Sequence, residues 1–221
     1  MADAVIFDID GTLIDTVDLH AQAWLEAFRA FGIEPEYHAV RHQIGKGGDQ
    51  LMPVFVPPER LQEIGKPLEQ FRGDIFRERY FPRARPFPQT RALFQRLRRE
   101  GLVIAVGSSC KADELPLFTD LAEVSDLIDQ RASSDDAERS KPSPDIFCAA
   151  LEKLAPIPPE AVVVVGDAPY DPEAARRAGV RPIGVLCGGF REAELRAAGC
   201  VEVYRGAADL LARLDGSILA R

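Results

Sequence analysis

The stretch Ala4-Val-Ile-Phe-Asp8-Ile-Asp10-Gly-Thr-Leu-Ile-Asp15-Thr16 joins a short apolar run to a pair of aspartates and a glycine turn. The apolar residues 5–7 predict a strand that is buried on both faces, as in a parallel sheet. Residues two apart in a strand share a face, so Asp8 and Asp10 should project to the same side. Two carboxylates so placed repel each other unless a cation lies between them or one binds a proton. The pair therefore indicates an active site rather than core packing.

Composition and charge narrow the functional classes. A chain of 221 residues can form one large domain or two small ones. The net charge of −8 argues against a nucleic-acid partner, which requires a basic face. An acidic protein that binds an anion must use a metal ion or a few well-placed lysines. Because no apolar run reaches bilayer-spanning length and no signal-peptide pattern is present, we expect a cytoplasmic protein without a membrane partner.

The first half of the chain contains several helical patterns. They lie at residues 15–31, 59–64 and 68–80. No convincing buried strand interrupts them, and the proline-rich segment 81–88 then suits neither a helix nor the interior of a sheet. We therefore expect a small all-helical domain at residues 16–85, inserted after the first strand into an α/β core that comprises residues 1–15 and 86–221.

Strands and helices alternate through the second half. Apolar runs predict buried strands at residues 102–106, 161–165, 182–186 and 201–203, with a weaker one near 127–128. The alternation is typical of a Rossmann-like parallel sheet with helices on both faces. Ligands bind such sheets beyond the carboxyl ends of the strands. Asp8, Ser108 and Asp167 each follow a predicted strand, so we expect these side chains to converge.

Four short motifs along the chain resemble those of a known family. They are Asp8-Ile-Asp10-Gly-Thr12, Gly107-Ser108-Ser109, Ser140-Lys141-Pro142 and Gly166-Asp167-Ala-Pro-Tyr-Asp171. In this order they resemble the motifs of the haloacid dehalogenase superfamily, over nearly the whole chain. The helical insert looks like the cap domain of the phosphoglycolate phosphatase and β-phosphoglucomutase branch.

The residue types of these motifs suit phosphoryl transfer. A carboxylate can attack phosphorus and form an aspartyl phosphate, and we assign that role to Asp8. Asp10 would act as general acid and base, for which a raised pKa is suitable. Carboxylates from Asp8 and Asp167 suit Mg²⁺. The resemblance adds the main-chain carbonyl of Asp10 and, directly or through a water, Asp171, so that four aspartates are expected around one ion.

The remaining candidates would contact the substrate. The resemblance places the phosphate against Asp10, Gly11, Ser108, Ser109 and Lys141. Residues of the insert that would determine substrate specificity are His20, Arg41, Gly45 and Lys46, and of these Arg41 or Lys46 would contact the leaving group. Several candidates have a simpler alternative. Ser108 and Ser109 also suit a strand-end turn, and Lys141 also suits a solvated surface. Asp171, which precedes Pro172, also suits a helix N-cap. The loop that contains Gly45 and Lys46 could be only a flexible turn.

The combined motifs predict a Mg²⁺-dependent phosphatase of a small phosphate monoester, of the phosphoglycolate or sugar-phosphate type. A β-phosphoglucomutase-like mutase is the alternative, because His20 and Trp24 resemble a pair in that enzyme. A 2-haloacid dehalogenase is less favoured, because it has no use for a second acid at position 10. A non-enzymatic phospho-receiver is also less favoured, because receivers have no cap. The expected partner is a small phosphorylated metabolite, and the protein is expected to be a monomer or homodimer.

Overall fold

The computed structural model describes residues 2–220 and shows eight strands in that range. They are β1 (Ala4–Phe7), β2 (Ile14–Asp15), β3 (Arg85–Pro86), β4 (Val103–Gly107), β5 (Gln130–Ala132), β6 (Val162–Gly166), β7 (Arg181–Val185) and β8 (Glu202–Tyr204). Six of these form one parallel sheet in the order β5-β4-β1-β6-β7-β8, and β2 pairs with β3 in a small antiparallel ribbon. The quoted stretch therefore provides one of the two central strands of the sheet, as expected for its continuous apolar run.

Ten α-helices connect and cover the strands within the same range. They are α1 (Val17–Ala30), α2 (Tyr37–Arg41), α3 (Gly48–Leu51), α4 (Pro58–Ile75), α5 (Thr90–Arg99), α6 (Leu115–Leu121), α7 (Asp145–Lys153), α8 (Tyr170–Arg177), α9 (Glu192–Ala198) and α10 (Ala207–Ala212). A π-helical segment (Phe76–Tyr80) extends α4, and several short 3₁₀ turns join the other elements. No helix among the described residues is long and apolar enough to cross a membrane.

Side chains alternate between the two faces of β1. Val5 and Phe7 belong to a core cluster that includes residues of α5 and α10, whereas Ala4 and Ile6 belong to a second cluster with residues of α7 and α8. Both faces of the sheet are therefore covered by helices, which explains why β1 is apolar at every position. The predicted α/β fold with a parallel sheet is confirmed.

The chain between β2 and β3 is helical apart from its connecting loops. Trp24 and Phe28 of α1 pack with Leu51, Met52 and Leu68 in an apolar cluster distinct from those of the sheet. Gly32 follows α1 with a φ of 71°, the left-handed conformation that suits glycine after a helix. This helical segment, residues 17–83, thus has its own core. Its treatment as a separate domain, with boundaries at 16 and 85, stays a prediction.

Local boundaries differ from the sequence prediction in three places. The patterns at 59–64 and 68–80 belong to one continuous helix, formed by α4 and its π-helical extension, and α4 continues through Pro67. Pro67 and Glu63 are both exposed, so water can hydrogen-bond the Glu63 carbonyl that the proline leaves without a donor. The weak strand near 127–128 lies instead at β5. Helix α8 begins before Asp171, so the N-cap alternative for that residue is wrong.

Candidate active site

The register of the sheet aligns the carboxyl ends of three strands. Phe7, the last residue of β1, pairs with Val106 of β4 on one side and Val165 of β6 on the other. The residues that follow, Asp8 and the ends of β4 and β6, therefore emerge at the same edge. This is the edge at which ligands bind in open α/β sheets.

Three carboxylates come together at this edge. Asp8, Asp167 and Asp171 are each at most 3% exposed, and one oxygen from each lies within 4.8 Å of the others. The Thr12 hydroxyl donates to Asp167 Oδ1 at 3.0 Å. The Lys141 ammonium donates to Asp8 and, at 2.8 Å, to Asp171 Oδ1. The cluster therefore contains three acidic groups and a single cationic side chain.

Charge crowding shifts the ionisation of the cluster. Burial raises the pKa of Asp8 to about 7, opposed by Lys141 and assisted by Asp171 and Asp10. Burial, Asp171 and Asp8 together raise the pKa of Asp167 well above its usual value. Burial alone would lower the pKa of Lys141, but the two carboxylates that it contacts outweigh this effect and raise it. One ammonium is thus insufficient to balance the ionised acids.

The cluster fits a divalent cation. Carboxylate oxygens at this spacing are the ligands that Mg²⁺ prefers, and a cation would remove the repulsion that raises the pKa values of Asp8 and Asp167. Two glycines lie beside the acids, and because they have no side chain they leave space for the carboxylates. A Cβ on Gly188 would lie 1.7 Å from Asp167 Oδ2, and one on Gly166 would lie 2.4 Å from the Asp171 carboxyl carbon. Side chains at these positions would displace the acids.

The carboxylate of Asp10 lies apart from this group. Its Oδ1 accepts from the Thr16 hydroxyl at 2.6 Å and lies 2.9 Å from His20 Nε2. Burial alone would raise the pKa of Asp10, but His20 and the Thr16 hydrogen bond outweigh it and lower it. The expectation of a raised pKa is therefore wrong for the free protein, and three aspartate side chains rather than four come together. The ligand role predicted for the Asp10 main-chain carbonyl stays a prediction.

The predicted phosphate-binding residues divide into two sets. Ser109 and Lys141 line a cavity of about 680 Å³ together with Asp8 and Asp10. Ser108 is buried beside it, with its Oγ accepting from the Cys110 N–H at 3.2 Å. Gly11 has a φ of 81°, and its N–H donates to the Ile14 carbonyl at 2.8 Å. The structure thus places Gly11 in the turn itself rather than on the cavity surface.

The helical segment forms the opposite wall of the cavity. His20, Gly45 and Lys46 line it, and the His20 ring stacks on Phe76 with a centroid distance of 3.9 Å. Lys46 Nζ donates to Gln43 Oε1 at 2.6 Å.

Arg41 does not line this cavity. Its Nε donates to Asp18 at 2.6 Å and its Nη2 to the Gly188 carbonyl at 3.1 Å. Arg41 therefore links α2 to the loop after β7, beside Asp167, instead of facing a leaving group.

The sequence analysis missed several cavity residues. Glu69, Arg72 and Phe76 all line the cavity, at spacings of three and four residues on α4 and its π-helical extension. This spacing places them on one helix face, and their mixture of charged and aromatic side chains was the available signal. Thr12 was quoted within a motif but was given no role.

Comparisons with known proteins agree with this geometry. A family model described as haloacid dehalogenase-like hydrolase matches residues 5–185. The "Putative pyrophosphatase PpaX" of Caldanaerobacter subterraneus is 33% identical over 188 residues, which cover 82% of this chain and 80% of that protein. The phosphoglycolate phosphatase of Aquifex aeolicus is 30% identical, with 83% and 84% covered.

A solved structure gives the same result. The crystal structure of a hydrolase from Pseudomonas syringae has a TM-score of 0.87 and 30% identity, with 96% of this chain and 98% of that chain covered. The family model alone spans well over half of the chain, including the strands that carry Asp8 and Ser108. The chain belongs to the haloacid dehalogenase-like hydrolases.

Proposed function

We propose that this protein is a Mg²⁺-dependent phosphatase that hydrolyses a small phosphate monoester, of the phosphoglycolate or sugar-phosphate type. The observation that carries the proposal is the buried group of Asp8, Asp167 and Asp171, whose Asp8 lines a cavity together with Lys141, which contacts Asp8 and Asp171. Relatives named as phosphatases, including one of phosphorylated carbohydrates in Thermotoga maritima, support the reaction class.

Asp8 is the proposed nucleophile. One carboxylate oxygen attacks phosphorus while the bond between phosphorus and the ester oxygen breaks, which leaves a phosphoryl group on Asp8. The Lys141 ammonium holds the other oxygen and adds positive charge beside the transferring group. Attack by water on the phosphoryl group then regenerates the carboxylate.

Asp10 and His20 are the proposed source and acceptor of protons. In the free protein the carboxylate is ionised, with His20 Nε2 2.9 Å away. A bound phosphate adds negative charge nearby and so raises the pKa of Asp10, which allows it to bind a proton and pass it to the leaving oxygen. The resulting carboxylate then accepts a proton from the attacking water.

The other predicted residues have supporting roles. Asp8 and Asp167 would hold Mg²⁺ with the Asp10 carbonyl and Asp171, and the ion would offset the charge of the phosphoryl group. Ser108 and Ser109 would donate to phosphate oxygens. The helical segment would act as a cap, supported by contacts such as Ser140 N to Asp49 Oδ2 at 3.1 Å and Tyr170 OH to the His42 carbonyl at 2.6 Å.

A phosphomutase is the second candidate, because His20 contacts Asp10 and also lines the cavity. A histidine there can move a proton on a bound sugar phosphate. The two reactions differ in product, since a mutase returns an isomerised sugar phosphate and a phosphatase releases inorganic phosphate.

A panel of phosphorylated metabolites with Mg²⁺ tests the proposal, with free phosphate and isomerised sugar phosphate both measured. We expect phosphate release that EDTA abolishes and Mg²⁺ restores, and radiolabelled phosphate on the protein after an acid quench. Asp8→Asn should remove both signals. Asp126→Asn is the control, because Asp126 is an exposed aspartate in a pair with Arg91. Isomerisation without phosphate release would instead establish the mutase, and an active Asp8→Asn variant would contradict the mechanism.

A further inference from the structure

Arg72 of α4 is a cation without a partner in the wall of the cavity. Its Nε is buried and has no hydrogen-bond partner, the one such side-chain atom found among residues 2–220. The guanidinium carbon lies 4.9 Å from the centre of the Trp24 ring, so one face of the group is held by an aromatic surface. A buried donor left unpaired is costly, which makes this arrangement unfavourable unless a ligand completes it.

The nearby acids do not satisfy Arg72. Glu69 and Glu114 line the same cavity, but neither carboxylate lies within ion-pair distance of the guanidinium. Glu114 instead accepts from Arg77 Nη2 at 3.1 Å. Neither glutamate therefore satisfies the buried Nε of Arg72, which stays available to an anion in this cavity.

Arg72 shares its cavity with Asp8 and Asp10. Burial lowers its pKa, while Glu114, Glu69 and Asp10 act in the opposite direction. Arg72 and Asp10 line the same cavity, so a substrate bound between them can contact both side chains. A guanidinium offers paired N–H groups that match the oxygens of a carboxylate or phosphate.

We propose that Arg72 binds a second anionic group, a carboxylate or a second phosphate, on the leaving group of the substrate. The inference rests on the proposed phosphatase function, because it assigns the opposite end of the same substrate. It restricts the substrate class to short phosphate esters or anhydrides with two anionic ends. Neutral alkyl or sugar monophosphates would be poor substrates.

Matched ligands test the proposal. Phosphoglycolate and hydroxyethyl phosphate are compared as substrates with Mg²⁺, because they differ mainly in the carboxylate. Phosphonoacetate, methylenediphosphonate and ethylphosphonate are compared by titration calorimetry, which needs no turnover. The first two carry a carboxylate and a second phosphoryl group, respectively, and the third is neutral at that end. Tighter binding of either one over ethylphosphonate supports the proposal and identifies the group.

Arg72→Met should weaken binding and kcat/KM for two-anion ligands by about 10- to 100-fold while changing the neutral ligands much less. The variant should be as stable as the wild type or more so, because an unpaired buried charge is replaced by an apolar chain. Arg72→Lys keeps the charge but loses the paired donors, so it should recover only part of the loss. Arg60→Met is the control, because Arg60 is an exposed arginine of the same helix that does not line the cavity, and it should leave the ratio between ligands unchanged.

The outcomes separate the two proposals. Equal losses for two-anion and neutral ligands in Arg72→Met, or no preference in the wild type, would overturn the role of Arg72 while leaving a phosphatase intact. Absence of phosphate release from every ester would overturn the phosphatase. A ligand preference that depends on Arg72 would then still establish the second anion site by calorimetry.

Discussion

Replacement of Lys141 by methionine should destabilise the protein strongly, because it removes the one ammonium that balances the buried acids. The Lys141 side chain is 1% exposed and contacts Asp8 and Asp171. Loss of one partner from a buried ion pair typically costs about 3–5 kcal/mol, since the remaining charge has neither water nor a partner. For a chain of this length each kcal/mol lowers Tm by about 2–4 °C, so the expected decrease is about 6–20 °C.

The measurement is denaturant and thermal unfolding in EDTA, followed by circular dichroism. Lys153→Met is a matched control, because Lys153 Nζ lies 2.7 Å from Asp136 but both side chains are about one-third exposed, at 35% and 32%. Exposed pairs of this kind contribute about 0–1 kcal/mol. The loss in Lys141→Met should also increase from about pH 6 to about pH 8, because fewer acids can then be neutralised by protons. Equal losses in the two variants would refute the reasoning.

Three further predictions concern the same edge of the sheet. Gly188→Ala should lower Mg²⁺ affinity in calorimetry by about 10-fold or more, because its Cβ would lie 1.7 Å from Asp167 Oδ2. The control Gly216→Ala meets nothing within 4 Å and should leave the affinity unchanged. In the metal-free protein the pKa of Asp8 is raised from 3.8 to about 7. The folded state then binds a proton more tightly than the unfolded chain, so the free energy of unfolding should fall as pH rises between these values. A flat denaturant profile over that window would contradict this. Arg41→Met removes the hydrogen bond to the Gly188 carbonyl, and hydrogen exchange should become faster in α2; unchanged exchange would show that the link is not needed.

The sheet and its acidic edge could be predicted because their signals are local. A buried parallel strand is a short continuous apolar run, and β1 and β6 both have that form. Asp8 and Asp167 follow these runs directly, so the rule for strand ends was sufficient to bring them together. A residue that directly follows a parallel strand lies at the carboxyl edge of the sheet, and distant contacts have little influence on this placement.

The helical segment was harder to predict because its contacts are long-range. Arg41 was expected at the leaving group, but it donates to Asp18 and to the carbonyl of Gly188, which is 147 residues away in sequence. The proposed role of Arg72 rests on its buried Nε having no hydrogen-bond partner, which only a packed structure reveals. Neither feature leaves a periodic pattern in the chain, so sequence spacing alone could identify the helices but not what their side chains contact.

Asp8 and Asp10 show that a sequence motif does not determine the pKa values of its acidic residues. The two acids are equivalent in the sequence pattern, yet the pKa of Asp8 is raised to about 7 and that of Asp10 is lowered. These directions are opposite to those that a nucleophile and a general acid require. We expect a cation beside Asp8 to lower its pKa and a phosphate beside Asp10 to raise its pKa, so that metal and substrate each move one acid toward the proposed protonation state.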